Sequence, residues 1–312
     1  VTNSGYQDWC SHCARYDASD CLQCGIRYAH DLDDVGYCED CESTFCDYDC
    51  ADNHNRDCAY ANRSIHDYGY RPEPLFHGRG PRYMGVELEI DGAGEDDDNA
   101  EQILEHSSGE ELFYIKHDSS LDSGMEIVSH PATLAYHLEK FPWSAITREA
   151  LDLGYKSHDA GTCGLHVHVS RDALGGSHKA QELTISKLII LLWRHWTKIW
   201  QFSRRRDSDE HWCKQQYSDY KVTRRGLDNA KHEGRYTALN VTNYATIEFR
   251  LFRGTLNMKT LHATLQFVDV LVELATTHGI SWVTRSSWAD IVEACKAYPQ
   301  LVEYLDTRGL GR

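Results

Sequence analysis

The chain has 312 residues and a net charge of −16 with histidine neutral, and 26% of it is charged. That length suffices for about two domains with a sizeable core. The acidic balance excludes nonspecific nucleic-acid binding, which needs a basic footprint, and no apolar run approaches the roughly 18 residues of a membrane span; the longest is Leu188 to Trp193.

The chain opens VTNSGYQDWC, without a basic n-region or an apolar h-region, so no signal peptide is expected and the setting reads as cytoplasmic. Nine of the twelve cysteines fall before residue 59. Cys10-x2-Cys13, Cys21-x2-Cys24 and Cys38-x2-Cys41 carry tetrahedral zinc spacing, which in this setting favours metal over disulfides. Residues 1–66 are too short and too poor in aliphatics to bury a stable core, so metal is expected to supply their folding free energy. About two structural zinc ions need about eight ligands. Beyond the three pairs, Cys46, Cys50, His54 and Cys58 recur at every fourth position, on one face of a helix. A cross-braced pairing joins Cys10 and Cys13 with Cys38 and Cys41, and Cys21 and Cys24 with the last pair. A sequential pairing joins Cys21, Cys24, Cys38 and Cys41. CLQCG followed by YCEDC resembles a zinc knuckle and a helix-start pair, as in treble clefs, which tips the reading toward the sequential arrangement. Whether His54 and Cys58 replace Cys46 and Cys50 stays open, as does a structural or a partner-recruiting role for the module.

Residues 67–82, DYGYRPEPLFHGRGPR, hold three of the six prolines and read as an extended linker. Residues 83–312 form the second domain. Four stretches in it alternate like strands. In YMGVELEI, Met84, Val86, Leu88 and Ile90 share one face, and Gly85, Glu87 and Glu89 the other. Phe113 to Lys116 is a short strand leading into the turn residues Asp118 and Ser119. In MEIVS, Glu126 and Val128 oppose Met125 and Ile127. In GLHVHVS, Leu165, Val167 and Val169 oppose His166, His168 and Ser170. In TIEFRLFR, Ile247, Phe249 and Leu251 alternate with Thr246, Glu248, Arg250 and Phe252.

Any one such strand is ordinarily a solvated antiparallel face. Together, though, these four faces carry carboxylate, imidazole and guanidinium without a single lysine. In one sheet, Glu87, Glu89, Glu126, Glu248, His166, His168 and Arg250 converge. Clustered carboxylates repel, and magnesium or manganese relieves that repulsion.

Helices are expected at 132–153, broken at Pro142, at 178–206, at 260–278 and at 287–298, where Pro299 ends the last. In 178–206 an apolar stripe runs through Leu183, Leu188, Ile189, Leu192, Trp193, Trp196 and Trp200, and Arg204 to Arg206 suit the helix C-terminus. Residues 207–234 are polar and aperiodic; Lys221, Arg224 and Arg225 read as solvated loop cations that are within reach of a nucleotide phosphate.

CGLHVHVS resembles the G-x-H-x-H-x-S strand of the glutamine synthetase superfamily. GVELE is similar to its first catalytic strand, TIEFRLF to its late Glu-x-Arg strand, HDSSLDSGMEIVS to the Asp-to-Glu segment of its amidoligase and glutamate–cysteine ligase branches, and RYTALN to the Arg-Tyr-x-x-x-Asn element. The five matches run in order over about residues 83–256 and are closest to the amidoligases of bacterial and phage gene clusters. The resemblance implies an α+β fold: a glutamine synthetase-like antiparallel sheet with helices packed on one face, here preceded by the zinc module. It implies an ATP-dependent carboxylate–amine ligase that works through an acyl phosphate and releases ADP, with Mg2+ or Mn2+ as cofactor. One metal would lie with Glu89 and Glu126 and another with Glu87, His166 and Glu248. His168 would meet the nucleotide, Arg250, Arg235 or Arg253 the charged oxygens, and Asp118 and Ser119 the substrate. The carboxylate and the amine stay undefined; amino acid, peptide, protein side chain and polyamine are all open.

Two other classes compete. One is a hydrolase, either using the same metal cluster or built on Cys163 and His166. The other is a noncatalytic binding protein whose zinc module does the work. ATP consumption separates the first from a ligase, and intact carboxylates in every motif argue against the second.

Overall fold

The computed structural model describes residues 18–29, 35–38, 43–56, 63–216 and 224–312. The chain divides into two compact units, Val1–Asp67 and Tyr68–Arg312. Cys10, Cys13, Cys41, Cys58 and Lys221 lie outside the described residues.

The first unit carries two small antiparallel ladders. β1 (Ala18–Asp20) pairs with β2 (Arg27–Ala29), and β3 (Gly36–Tyr37) with β4 (Thr44–Phe45). Gly25, with φ at 73°, lets the chain reverse after Cys21, and its N–H donates to the Cys21 carbonyl at 2.8 Å. The helix Tyr48–Arg56 begins under Asp47, whose carboxylate accepts the Cys50 N–H at 2.8 Å. It packs on β3 at Gly36, where a Cβ would stand 2.3 Å from the Asp47 carbonyl. Among the described residues, the buried cluster holds Tyr28, Phe45 and Ala51 beside its cysteines, with Val35 packed against it. A core that size does not hold a fold by itself. β5 (Ile65–His66) follows near the end of the unit.

The second unit contributes β6 (Met84–Asp91), β7 (Phe113–Lys116), β8 (Gly124–Ser129), β9 (Gly164–Ser170), β10 (Leu239–Asn240) and β11 (Thr246–Arg253) to one sheet. Their order is β10-β11-β9-β6-β8-β7, with every neighbouring pair antiparallel. Alternation decides the two faces. Met84, Val86, Leu88, Ile90, Ile127, Leu165, Val167, Val169, Ile247 and Phe249 are fully buried. Helix Met258–Thr277 packs against helices 178–194, 288–295 and 299–307 in the helical part of the unit. Phe202 of helix Trp196–Ser203 links them to the sheet, stacking on Phe267 at 4.2 Å and meeting Phe252 edge-on at 6.1 Å. The fold is thus mixed α+β.

Four sequence expectations change. Alternation puts Phe252 beside Glu248 and Arg250, but a bulge lies between Phe249, opposite Val167, and Phe252, opposite Leu165. The extra residue turns Phe252 onto the apolar face and leaves Arg250 in the bulge. The helix expected over 178–206 is two helices, His178–Arg194 and Trp196–Ser203, separated at His195. There, Arg194 donates to the Ser286 carbonyl at 2.6 Å and the His195 ring meets the Ser286 hydroxyl at 3.2 Å, so a neighbouring turn claims the junction. Leu183, assigned to the apolar stripe, is 53% exposed. The polar stretch after 207 also contains the helix Arg224–Lys231.

Candidate active site

The polar face of the sheet is arranged in cross-strand rows. Lys116 on β7 stands opposite Glu126 on β8, which stands opposite Glu89 on β6. The next row runs Tyr114, Val128, Glu87, His166. A third runs Gly85, His168, Glu248, Asn240. Direct cross-strand partners stand about 5 Å apart at Cβ, so the strands of four separate sequence motifs deliver one cluster.

Inside it, His166 Nδ1 lies 3.1 Å from Glu87 Oε2, and His168 Nε2 lies 3.0 Å from Glu87 Oε1. His166 also reaches Glu89 and Glu248 at 3.7 Å each. Arg250 donates to Glu248 Oε1, while Asn240 holds Glu248 Oε2 at 2.8 Å. The Gly164 N–H donates to Glu89 Oε2. A Cβ at Gly164 would stand 2.7 Å from His166 Nε2 and 3.3 Å from Glu89 Oε2, so this position admits only glycine without displacing the cluster.

These groups face a cavity of about 1190 Å³. Glu87, Glu89, Glu126, His166, His168, Glu248, Arg250, Arg235, Asp118 and Ser119 all line it. Arg253 does not; its guanidinium donates to the His158 carbonyl. Arg235 stands at the exposed side, bonded to the Tyr68 and Tyr236 hydroxyls at 3.1 and 2.6 Å.

Electrostatics follows from the crowding. Burial works against charge on Glu87, yet the two histidines hold its carboxyl well below the ordinary range. Burial pushes Glu126 well above it, and Glu87, Glu89 and Asp118 push the same way against Lys116. Burial opposes protonation of His168, but Glu87 and Glu248 raise it. A multivalent cation would relieve the same repulsion. Three overlapping groups offer ligand atoms within 4.8 Å of one another: Glu87, Glu126 and His166; Glu87, His168 and Glu248; Glu89, Asp118 and Glu126. Oxygen-rich donors with one imidazole suit magnesium or manganese. This grouping differs from the expected one, since His168 joins Glu87 and Glu248, and Asp118 joins Glu89 and Glu126.

Cys163 is buried on the opposite side of the strand from His166. Its Cβ neighbours Gly254, and burial pushes its thiol up to about 12, so it is not a poised nucleophile.

Sequence reasoning missed part of this site. The four motif strands lack lysine, but β7 supplies Lys116, and Tyr114 with it; their shared parity in FYIK was the available signal. Asn240 was visible in RYTALN without a role. Nothing local marked the linker at 67–82 as a wall, yet Tyr68, Arg71, Pro72, Pro74, Phe76 and Pro81 line the cavity.

A second candidate site lies in the first unit. Cys21, Cys24, Cys46 and Cys50 come together. Cys24 Sγ is 3.5 Å from Cys46 Sγ, which is 3.6 Å from Cys50 Sγ. Bonds of about 2.3 Å to a tetrahedral zinc demand sulfur separations of about 3.8 Å, so the four thiols fit that ion. This corrects the favoured sequential pairing. Cys46, just before the helix, and Cys50, in its first turn, join the Cys21–Cys24 knuckle in place of Cys38. Cys38 is buried outside the group, and His54 packs on the Phe45 ring at 4.6 Å.

No protein-family model matches the chain, and no curated protein does. Among solved structures it is similar to a bifunctional glutathione synthetase from Pasteurella multocida, at 12% identity and a TM-score of 0.39, covering 73% of this chain and 46% of that one. It is also similar to the complex between the prokaryotic ubiquitin-like protein Pup and its ligase PafA, at 11% identity and a TM-score of 0.35, covering 73% of this chain and 58% of that one. The chain thus spans about half the length of each. Likenesses this remote do not say what this chain does. Among the described residues, no helix is long and apolar enough to cross a membrane.

Proposed function

We propose that this chain is an ATP-dependent carboxylate–amine ligase, built on a glutamine synthetase-like sheet and releasing ADP. The observation that carries the reading is the row arrangement: three overlapping metal-competent groups, with a guanidinium on the same strand as Glu248, at the floor of a large cavity. Glu89, Asp118 and Glu126 would hold one divalent ion, and Glu87, His168 and Glu248 another, with His166 between them. Bound there, such ions neutralise triphosphate charge as the γ-phosphoryl group leaves.

The chain's own residues do the rest. Arg250 and Arg235 bind the charged oxygens, and Asn240 fixes the orientation of Glu248. A free carboxylate does not form an amide directly, because oxide is too poor a leaving group. An acyl phosphate made at the cavity floor has a good one, and an amine then displaces phosphate. Lodging that intermediate against the sheet would limit its contact with water. The four thiols of the first unit would hold a structural zinc, and that unit is open to recruiting a peptide or protein substrate. Reduced thiols and ATP consumption fit a cytoplasmic setting.

The test is amine-dependent ADP release across carboxylate and amine panels, followed by mass spectrometry of the adduct. With an 18O-labelled carboxylate, one labelled oxygen should leave in the phosphate. AMP as product would overturn the reading, and ADP release indifferent to every amine would leave a kinase or ATPase.

A further inference from the structure

Among the described residues, Lys116 is the one lysine that lines the cavity. It is 3% exposed, and its single ion-pair partner among the described residues is Glu126, at 3.3 Å. The aromatic ring of Tyr68 caps the ammonium at 5.3 Å. Glu126 is a ligand in two of the three metal-competent groups, as Glu87 is, and of these two carboxylates Glu126 is the one that Lys116 pairs with. The ammonium therefore sits on a carboxylate that a divalent ion would take.

We infer that Lys116 is a tethered cation that competes with divalent metal for Glu126. A lysine is a compact point charge on a flexible stem, so it can neutralise Glu126 without metal and swing off when a doubly charged ion takes the oxygen. It holds the cluster together in the empty state and raises the metal concentration needed to fill it. Lys116 is a positioning residue here, with no contact to reacting atoms required. The inference rests on the metal-site reading above.

The experiment is Mn2+ binding to the zinc-loaded full chain, read from the loss of the free-ion paramagnetic resonance signal, with no turnover involved. Lys116→Met keeps the stem and removes the charge; it should tighten Mn2+ binding about tenfold or more. Lys116→Arg keeps a cation able to grip Glu126 through two N–H groups; it should bind Mn2+ no more tightly than the wild type. Unchanged or weaker binding by Lys116→Met overturns the inference while leaving the ligase reading intact. Tighter binding by Lys116→Arg also overturns it, which keeps the test decisive if the methionine variant does not fold. A wild-type chain that takes up no Mn2+ removes both readings together.

Discussion

Glu248 shows how one side chain answers to both chemistry and stability. It is 3% exposed and bonded to Arg250 and Asn240. Glu248→Gln should abolish ATP turnover while the fold survives, because the amide keeps the shape and one acceptor oxygen but loses the charge and turns its NH2 toward a donor, Arg250 or Asn240. Glu248→Ala should in addition cost roughly 3 kcal/mol of stability, since it strands the half-buried Arg250; comparing turnover and melting for both variants checks this. Normal turnover in Glu248→Gln would remove the residue from the site. Gly164 makes a steric version of the same point. Adding one methyl should displace His166 and the Arg205 guanidinium, crowd Glu89, and lower turnover about a hundredfold, with little change in thermal unfolding. Near-normal turnover in Gly164→Ala would mean that the cluster is not the active one. Cys163→Ala, by contrast, should retain activity, and complete loss would restore the thiol reading.

At the scale of elements, helix Leu134–Glu139 is tied to the sheet through His137. The buried ring lies 3.0 Å from the Met84 carbonyl through Nε2 and accepts the Trp143 indole N–H at Nδ1, 3.3 Å away. Both nitrogens are satisfied only in the neutral Nε2–H form. Burial lowers its pKa to about 4, against the Met84 hydrogen bond. Burial lowers His195 to about 4 as well. The sign follows: a folded value below the unfolded one, near 6.5, leaves full stability above about pH 6.5 and loses it as pH falls toward 4. Each ring is worth on the order of 3 kcal/mol across that window. Thermal melting from pH 7 to 4 should show the slope, and His137→Leu should flatten it. A wild-type melting temperature that is level over this range would contradict the argument. In the first unit, chelation should unfold residues 1–67 and release about two zinc ions per chain. Cys21→Ser should lose at least one. Disulfides in place of zinc would overturn the metal reading.

For the whole molecule, what the sequence determined by itself was local and periodic. Strand parity is a two-residue rule, so the faces of YMGVELEI, MEIVS and GLHVHVS were legible, and with them Glu87, Glu89, Glu126, His166 and His168. Cysteine spacing was legible for the same reason, since a zinc knuckle is a four-residue feature. Tertiary structure decided everything that depends on which distant segments meet. It paired Cys21 and Cys24 with Cys46 and Cys50, because the start of a helix and not the nearest C-x2-C pair reached the knuckle. It brought Lys116 against Glu126 across a strand boundary that no motif crosses. It shifted the parity of β11 at Phe252, since a bulge is a mismatch between two strands and is not written in either one alone. It also made the proline-rich segment a cavity wall. Prolines set the backbone of that segment extended, but only its packing against the sheet gave Tyr68 and Phe76 a cavity to line.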